Sequence, residues 1–283
     1  TLTFVLTSRG ALVATLVGAA LTLPTAAGAA ANMTPDYEVK LLLNPAATLG
    51  SDHKLTSAVR TQFGMPTTVT KMNVQFLDDD EEIYGEGWSP RIRKTEGESG
   101  FELTYKKRYP VTGGDVGAAL TTANAEGFDA GDTGYEAQVE WGYAKQTLSI
   151  SRKKSASGSG YSGMDLPGTS ASRTMLINES PDKFDDWLAN GWGTGILSTS
   201  RIYGPVLAKR SVGTYSGTEL FIEVWPILNA AGTATEDVVE ASFKTTSSST
   251  ASSKKASLQS LLQSKGWFLS QDSLKTQLIM DRY

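Results

Sequence analysis

Cysteine is absent from the 283 residues, and histidine occurs once, at His53. Disulfides, thiol nucleophiles and Cys-based zinc sites are therefore excluded, as are histidine triads and His-rich metal sites. Positive charge is scarce too. The 26 Lys and Arg face 30 Asp and Glu, which gives a formal net charge of −4 and a pI of about 5.2. That balance argues against a general nucleic-acid binder, so any basic surface has to be local. No G-x-x-x-x-G-K-[ST] phosphate loop is present. His53 lies in a polar run, Ser51-Asp52-His53-Lys54, and reads as a surface residue.

Long apolar runs are missing except near the N-terminus. There Arg9 precedes an apolar run over 11–23, followed by Pro24 and the small-residue tracts Ala27-Gly28-Ala29 and Ala29-Ala30-Ala31. The run is shorter than the ~20 residues that cross a bilayer, and both tracts fit small-x-small cleavage. Residues 1–31 are therefore expected to be a secretory signal. The mature chain is expected to start between Ala30 and Asn32, outside the cell and free of the membrane.

What remains is rich in polar–apolar alternation. Strands are expected near 36–43, 69–78, 89–95, 101–109, 135–142, 146–152, 202–212 and 218–226. Helices are expected over 51–64, with Ser51 as N-cap and Gly64 as stop, and over 114–127, with Val116, Ala119, Leu120 and Ala123 on one face. A third follows Ser180-Pro181, and two more lie near the C-terminus. Two low-complexity stretches, 155–172 and 245–257, read as mobile surface insertions. Residues 32–283 are expected to form one α+β domain.

The polar faces are unusual. Asp36, Glu38 and Lys40 share one, as do Arg91 and Arg93, and as do Glu102, Thr104, Lys106 and Arg108. Glu136, Gln138 and Glu140 share another, and Glu219 and Glu223 a fifth. A solvated sheet face accounts for the alternation. A closed barrel with a charged lumen, its apolar exterior covered by helices, also accounts for the density of Arg and carboxylates. Alternation alone leaves both open.

The order of motifs favours the lumen. Asp36-x-Glu38-x-Lys40, then "QFLDDDEEIYGEGWSPRIRK", then "FELTYKKR" resembles the CYTH family of triphosphate tunnel metalloenzymes. "YEAQVEWG" is similar to that family's acidic strand. "GPVLAKRS" with "ELFIEVWPI" is similar to its last basic-then-acidic hairpin, and "DSLKTQLI" to its C-terminal helix. The resemblance implies a closed antiparallel β-barrel tunnel of about eight strands with covering helices. It also implies a metal-dependent hydrolase of inorganic triphosphate or a related triphosphate or polyphosphate.

On that resemblance, Lys40, Arg91, Arg93, Lys106, Arg108 and Lys275 would hold the phosphate chain, with Lys209 or Arg210 beside them. Strand parity admits only one of that last pair inward. Asp36, Glu38, Glu140 and Glu223 would hold Mg²⁺ or Mn²⁺, and Glu136 or Glu140 would orient the attacking water. Three positions depart from the family pattern. Asp36 replaces a glutamate, Gln138 interrupts the acidic strand, and Phe221 stands where a second acid is common. These departures spare the cationic cradle and thin the metal ring. Thiamine or nucleoside triphosphate hydrolysis and adenylyl cyclisation are the alternatives on the same fold. A polyphosphate-binding module with weak catalysis is the alternative outside enzymology.

Overall fold

Alternating strands bury one face outward and one inward only if the sheet closes on itself, and here it does. The computed structural model describes residues 29–272 and 275–283, so all but the end of the expected signal lies outside the described residues. Along the chain come β1 (Asp36–Leu43), α1 (Pro45–Thr48), α2 (Ser57–Phe63), β2 (Thr70–Asp78), α3 (Glu82–Gly85) and β3 (Trp88–Thr95). Then follow β4 (Phe101–Val111), α4 (Val116–Ala125), β5 (Glu136–Trp141), β6 (Gln146–Ala156), α5 (Thr169–Asn178), α6 (Asp182–Asp185) and α7 (Trp192–Leu197). The chain finishes with β7 (Arg201–Tyr215), β8 (Thr218–Leu228), β9 (Thr235–Thr245), α8 (Ser248–Ser264) and α9 (Lys275–Arg282).

The strands close into one barrel in the order β1-β5-β6-β4-β3-β2-β7-β8-β9. Nine strands form it rather than about eight, and one pairing, β1 with β5, is parallel. The additional strand is β9. It seals the barrel by pairing antiparallel with both β1 and β8.

Helices cover the outside. Leu103, Tyr105, Leu148 and Ile150 face outward from β4 and β6 and pack with Leu120, Leu176, Phe184 and Leu197 from α4 to α7. Across the barrel, Val39, Leu41, Leu220, Ile222 and Phe243 pack under Val59 and Phe63 of α2 and Leu258 and Leu262 of α8. Each such side chain contributes roughly 1.5–3 kcal/mol by leaving water, so the covered exterior is the main core.

Local sequence fixes these helices. Asp115 caps α4 by accepting from the Ala118 N–H at 2.9 Å. Gly64 ends α2 at φ 62°, where an L side chain would be strained. The N-cap of α2 is Thr56 rather than Ser51, because residues 51–54 form a turn with His53 at φ 60°. His53 is exposed and pairs with Asp237.

Both low-complexity stretches are packed rather than mobile insertions. In 155–172, the Met164 and Pro167 carbonyls accept from the Asn73 and Gln75 side chains at 2.9 and 3.0 Å, and Tyr161 meets Phe101 edge-on. The stretch 245–257 contains the first turns of α8. Ala251, Leu258 and Leu262 recur at helical spacing and are fully buried, so a few apolar residues anchor a serine-rich helix.

Candidate active site

Strand parity places the charged faces inside. Arg91 and Arg93 of β3 register against Thr104 and Glu102 of β4, and Lys106 of β4 registers against Ser151 of β6. Asp36 and Glu38 of β1 register against Gln138 and Glu140 of β5. These side chains converge on a lumen of about 250 Å³. Nine cationic side chains line it against six carboxylates, so the interior is locally basic in an acidic protein.

Of the residues expected from sequence, Asp36, Glu38, Lys40, Arg91, Arg93, Lys106, Arg108, Glu136, Arg210, Glu223 and Lys275 line this lumen. Glu140 lies behind it, bound to Lys106 and Lys40. Lys209 does not line it. Lys209 pairs in register with Val224 and Lys71 on the outward side, whereas Arg210 registers with the inward Glu223. Parity thus selects Arg210.

The carboxylates are held by cations. Glu140 Oε1 lies 2.8 Å from Lys106 Nζ and 3.4 Å from Lys40 Nζ, and its Oε2 lies 3.7 Å from Arg108 Nε. Burial by itself would push this carboxyl up, but Lys106, Lys40 and Arg108 hold it well below the usual range. Glu223 accepts from Arg210 Nη2 at 2.6 Å, Trp225 Nε1 at 2.8 Å and Lys275 Nζ at 3.2 Å. Lys275, from α9, also reaches Glu240 at 2.8 Å. Glu102 bridges Arg91 and Arg93 at 2.9 Å each.

Two lysines on the same carboxylate respond differently. Burial disfavours the charge on Lys40, yet Glu140, Glu38 and Glu240 raise it above the ordinary lysine value. Burial pulls Lys106 down to about 8 in spite of Glu140, because Arg108 and Lys40 crowd it. Arg91 falls to about 10 through burial and the adjacent Arg93. The Nε atoms of Arg91 and Arg93 are buried without a hydrogen-bond partner. Unused donors on a guanidinium beside an aqueous lumen are capacity for an anion.

The far side of the lumen is apolar. Met72, Val74 and Phe76 of β2 and Trp225 and Ile227 of β8 pack on Ile279 and Met280 of α9. Thr276 of α9 accepts from Arg108 Nη2 at 3.3 Å. The C-terminal helix therefore closes part of the barrel. Sequence reasoning had missed four charged lumen groups: Glu102 as a site residue, Lys153, and both Glu240 and Lys244 of β9. Val239, Ala241 and Phe243 alternating with Glu240, Ser242 and Lys244 was the signal that could have found β9.

The expected metal ring is not assembled. Among the described residues no three His, Cys, Asp or Glu side chains come together as a metal-holding group. The oxygen chemistry would suit a hard cation, but Glu38, Glu140 and Glu223 each face a lysine or arginine within 3.5 Å. The residues present do not fit a resident Mg²⁺ or Mn²⁺. Phe221 reinforces this. Its ring lies 4.3 Å from the Arg210 guanidinium where a further carboxylate would be expected.

No protein-family model and no curated protein matches the chain. Solved structures do. A Hippeastrum protein, described as a candidate adenylyl cyclase that reveals a dominant triphosphatase activity, matches with a TM-score of 0.52 at 15% identity. The match covers 86% of this chain and 94% of that one. A candidate adenylate cyclase of Bacillus halodurans matches with a TM-score of 0.47 at 15% identity, over 86% of this chain and 96% of that one. A Pyrococcus horikoshii protein reaches 0.41 at 12% identity, over 87% of this chain and all of that one. At such identities the shared property is the fold. The chain thus has the closed-barrel fold of the Hippeastrum protein, the tunnel fold that its CYTH-like motifs imply.

Proposed function

We propose that the chain is a hydrolase of inorganic triphosphate or a closely related linear triphosphate. The observation that carries this reading is the cationic lumen itself, with two buried arginine Nε donors left unpartnered. A triphosphate concentrates negative charge along a short rod, and Arg91, Arg93, Lys106, Arg108, Lys40 and Arg210 surround such a rod with matched donors. The triphosphatase activity described for the Hippeastrum protein supports the choice of reaction.

Hydrolysis in this lumen is positioning and charge neutralisation. The oxygen of water bonds to a terminal phosphorus while the bond to the bridging oxygen breaks. Orthophosphate forms, pyrophosphate leaves among the lumen cations, and the proton lost by the water passes through Glu136 to solvent. Glu140 is a poor base, because its charge is spent on three cations; it positions Lys106, Lys40 and Arg108 instead. Glu136 is the better group to orient water. Its side chain is 71% exposed at the lumen mouth, paired with Lys153 at 3.0 Å.

Orthophosphate release from inorganic triphosphate, followed with and without added Mg²⁺ or Mn²⁺, tests the proposal. Absence of turnover under all three conditions would overturn it. A second reading, an extracellular module that binds polyphosphate without turnover, is favoured by the missing carboxylate group and by Phe221. Calorimetric binding without phosphate release would establish it. Export also belongs to the proposal. Among the described residues, Ala30 and Ala31 are already bonded to the body, through Asn124 Nδ2 at 2.7 Å and the Ala130 N–H at 2.9 Å. Intact-mass measurement of secreted protein should place its first residue between Ala30 and Asn32, and retention of 1–29 would refute it.

A further inference from the structure

The lumen carboxylates are of two kinds. Glu140 and Glu223 are saturated, each held by cations from at least two directions, and they lie deep in the wall. Glu102 is different. Its Oε1 accepts from Arg91 Nη2 and its Oε2 from Arg93 Nη2, at 2.9 Å each. Thr104 Oγ1 adds a contact to Oε1 at 3.2 Å. Each arginine spends a single Nη2–H on Glu102, and both Nε–H donors stay buried and unpartnered. A side-on guanidinium contact uses Nε and Nη2 together, so Glu102 takes only part of what this pair offers.

We propose that Glu102 is an internal stand-in for one phosphate group of the substrate, an inference that rests on the lumen taking a triphosphate. A carboxylate spreads one negative charge over two oxygens and meets one donor per arginine. A terminal phosphate has more oxygens and more charge, so it engages Nε and Nη2 of both arginines. Substrate therefore displaces Glu102 rather than joining it. The displaced side chain, 22% exposed, has a third cation at hand in Lys153, which registers opposite Thr104, lines the same lumen and is shared with Glu136 at 3.0 Å. Glu102 thereby keeps two adjacent arginines compatible before substrate arrives, and it sets the affinity by competing for them.

The test is calorimetric titration of inorganic triphosphate into the wild-type chain, E102Q and E102D, with melting temperatures measured alongside. E102Q should bind about tenfold more tightly, the scale of one charge-assisted contact no longer displaced. It should melt lower without triphosphate and show a larger rise with it. E102D keeps the charge but is one methylene too short to bridge both arginines, so it should gain part of the affinity. Equal or weaker binding by E102Q would overturn the proposal. A gain in E102Q with E102D identical to wild type would also overturn it, because net charge alone would then be responsible. A wild-type chain that binds no triphosphate would instead show that the functional reading itself has failed. Should E102Q not fold, the E102D titration decides alone.

Discussion

The two faces of β4 carry neighbouring lysines that the barrel wall treats as different residues. Lys106 points into the lumen, 2.8 Å from Glu140, in a cluster of fixed charges. Lys107 points outward and is also buried. Its ammonium lies 4.5 Å from the Trp187 ring and 4.9 Å from the Tyr109 ring, and it donates to the Glu86 carbonyl. The inner face thus pairs charge with charge at close contact, whereas the outer lysine sits against aromatic rings and a backbone oxygen, with Glu126 and Glu86 acting on it electrostatically. On the inner face the unpartnered donors, Arg91 Nε and Arg93 Nε, belong to cations. The lesson is that alternation sorted the side chains correctly, while the outward polar position was enclosed by α6 and its flanks rather than solvated.

The largest effect that would sharpen this contrast is on the inner face. Replacing Glu140 by Gln leaves Lys40, Lys106 and Arg108 without their shared counter-charge. Unfolding free energy should fall by about 3–5 kcal/mol, as for breaking one side of a buried ion pair. Chemical denaturation measures it, and a loss under 1 kcal/mol would mean that the inner charges are effectively solvated.

Lys106→Ala against Lys107→Ala comes next. Removing Lys106 should weaken triphosphate binding about ten- to hundredfold, because a charge-assisted contact contributes roughly 1.5–3 kcal/mol. Removing Lys107 should leave binding unchanged and lower stability by ~0.5–2 kcal/mol through the lost cation–π contacts. Equal losses of affinity would break the comparison, since both lysines would then face the substrate.

The same contrast has a pH signature. Burial brings Lys106 to about 8, against an ordinary lysine near 10.4. Between those values the unfolded chain binds more protons than the folded one, so stability gains from Lys106 as pH rises from 8 to 9.5. Lys40 and Lys275 have raised values, so their contribution stays constant until pH exceeds the ordinary lysine value. Triphosphate affinity should move the opposite way over this window, as Lys106 loses its charge. Lys106→Arg should flatten that fall, and an identical fall in Lys106→Arg would assign the titration elsewhere.

Much of this architecture was legible because the polar stretches of β1, β3, β4 and β5 alternate between apolar and polar residues, with Lys107 the exception on β4. The parity of Arg91, Arg93, Lys106 and Arg108 followed directly from it. Three features were hidden for physical reasons. Strand β9 begins Thr-Glu-Asp, which reads as a loop before its alternation starts. The first turns of α8 are serine-rich, and Ala251 with Leu258 and Leu262 suffices to anchor them. The ion pairing that occupies the carboxylates joins strands far apart in sequence, as Glu140 with Lys106 and Lys40 does. No single-strand pattern reveals whether such an acid is open to a metal or already taken.

The smallest expected effect concerns Lys209, one residue from Arg210 on β7. Arg210 faces Glu223 inside, whereas Lys209 lies outward and directly opposite Lys71 of β2. Like charges facing each other across a ladder destabilise by a few tenths of a kcal/mol. Lys209→Ala should therefore leave triphosphate affinity within about twofold and raise stability slightly, within ~0.5 kcal/mol. Arg210→Ala in the same assay should lose affinity and strand the Glu223 carboxylate with Lys275 and Trp225 alone. Calorimetry on the pair measures both. A loss of affinity in Lys209→Ala matching that of Arg210→Ala would mean that β7 presents both residues to the lumen, and the two-faced wall would not hold along that strand.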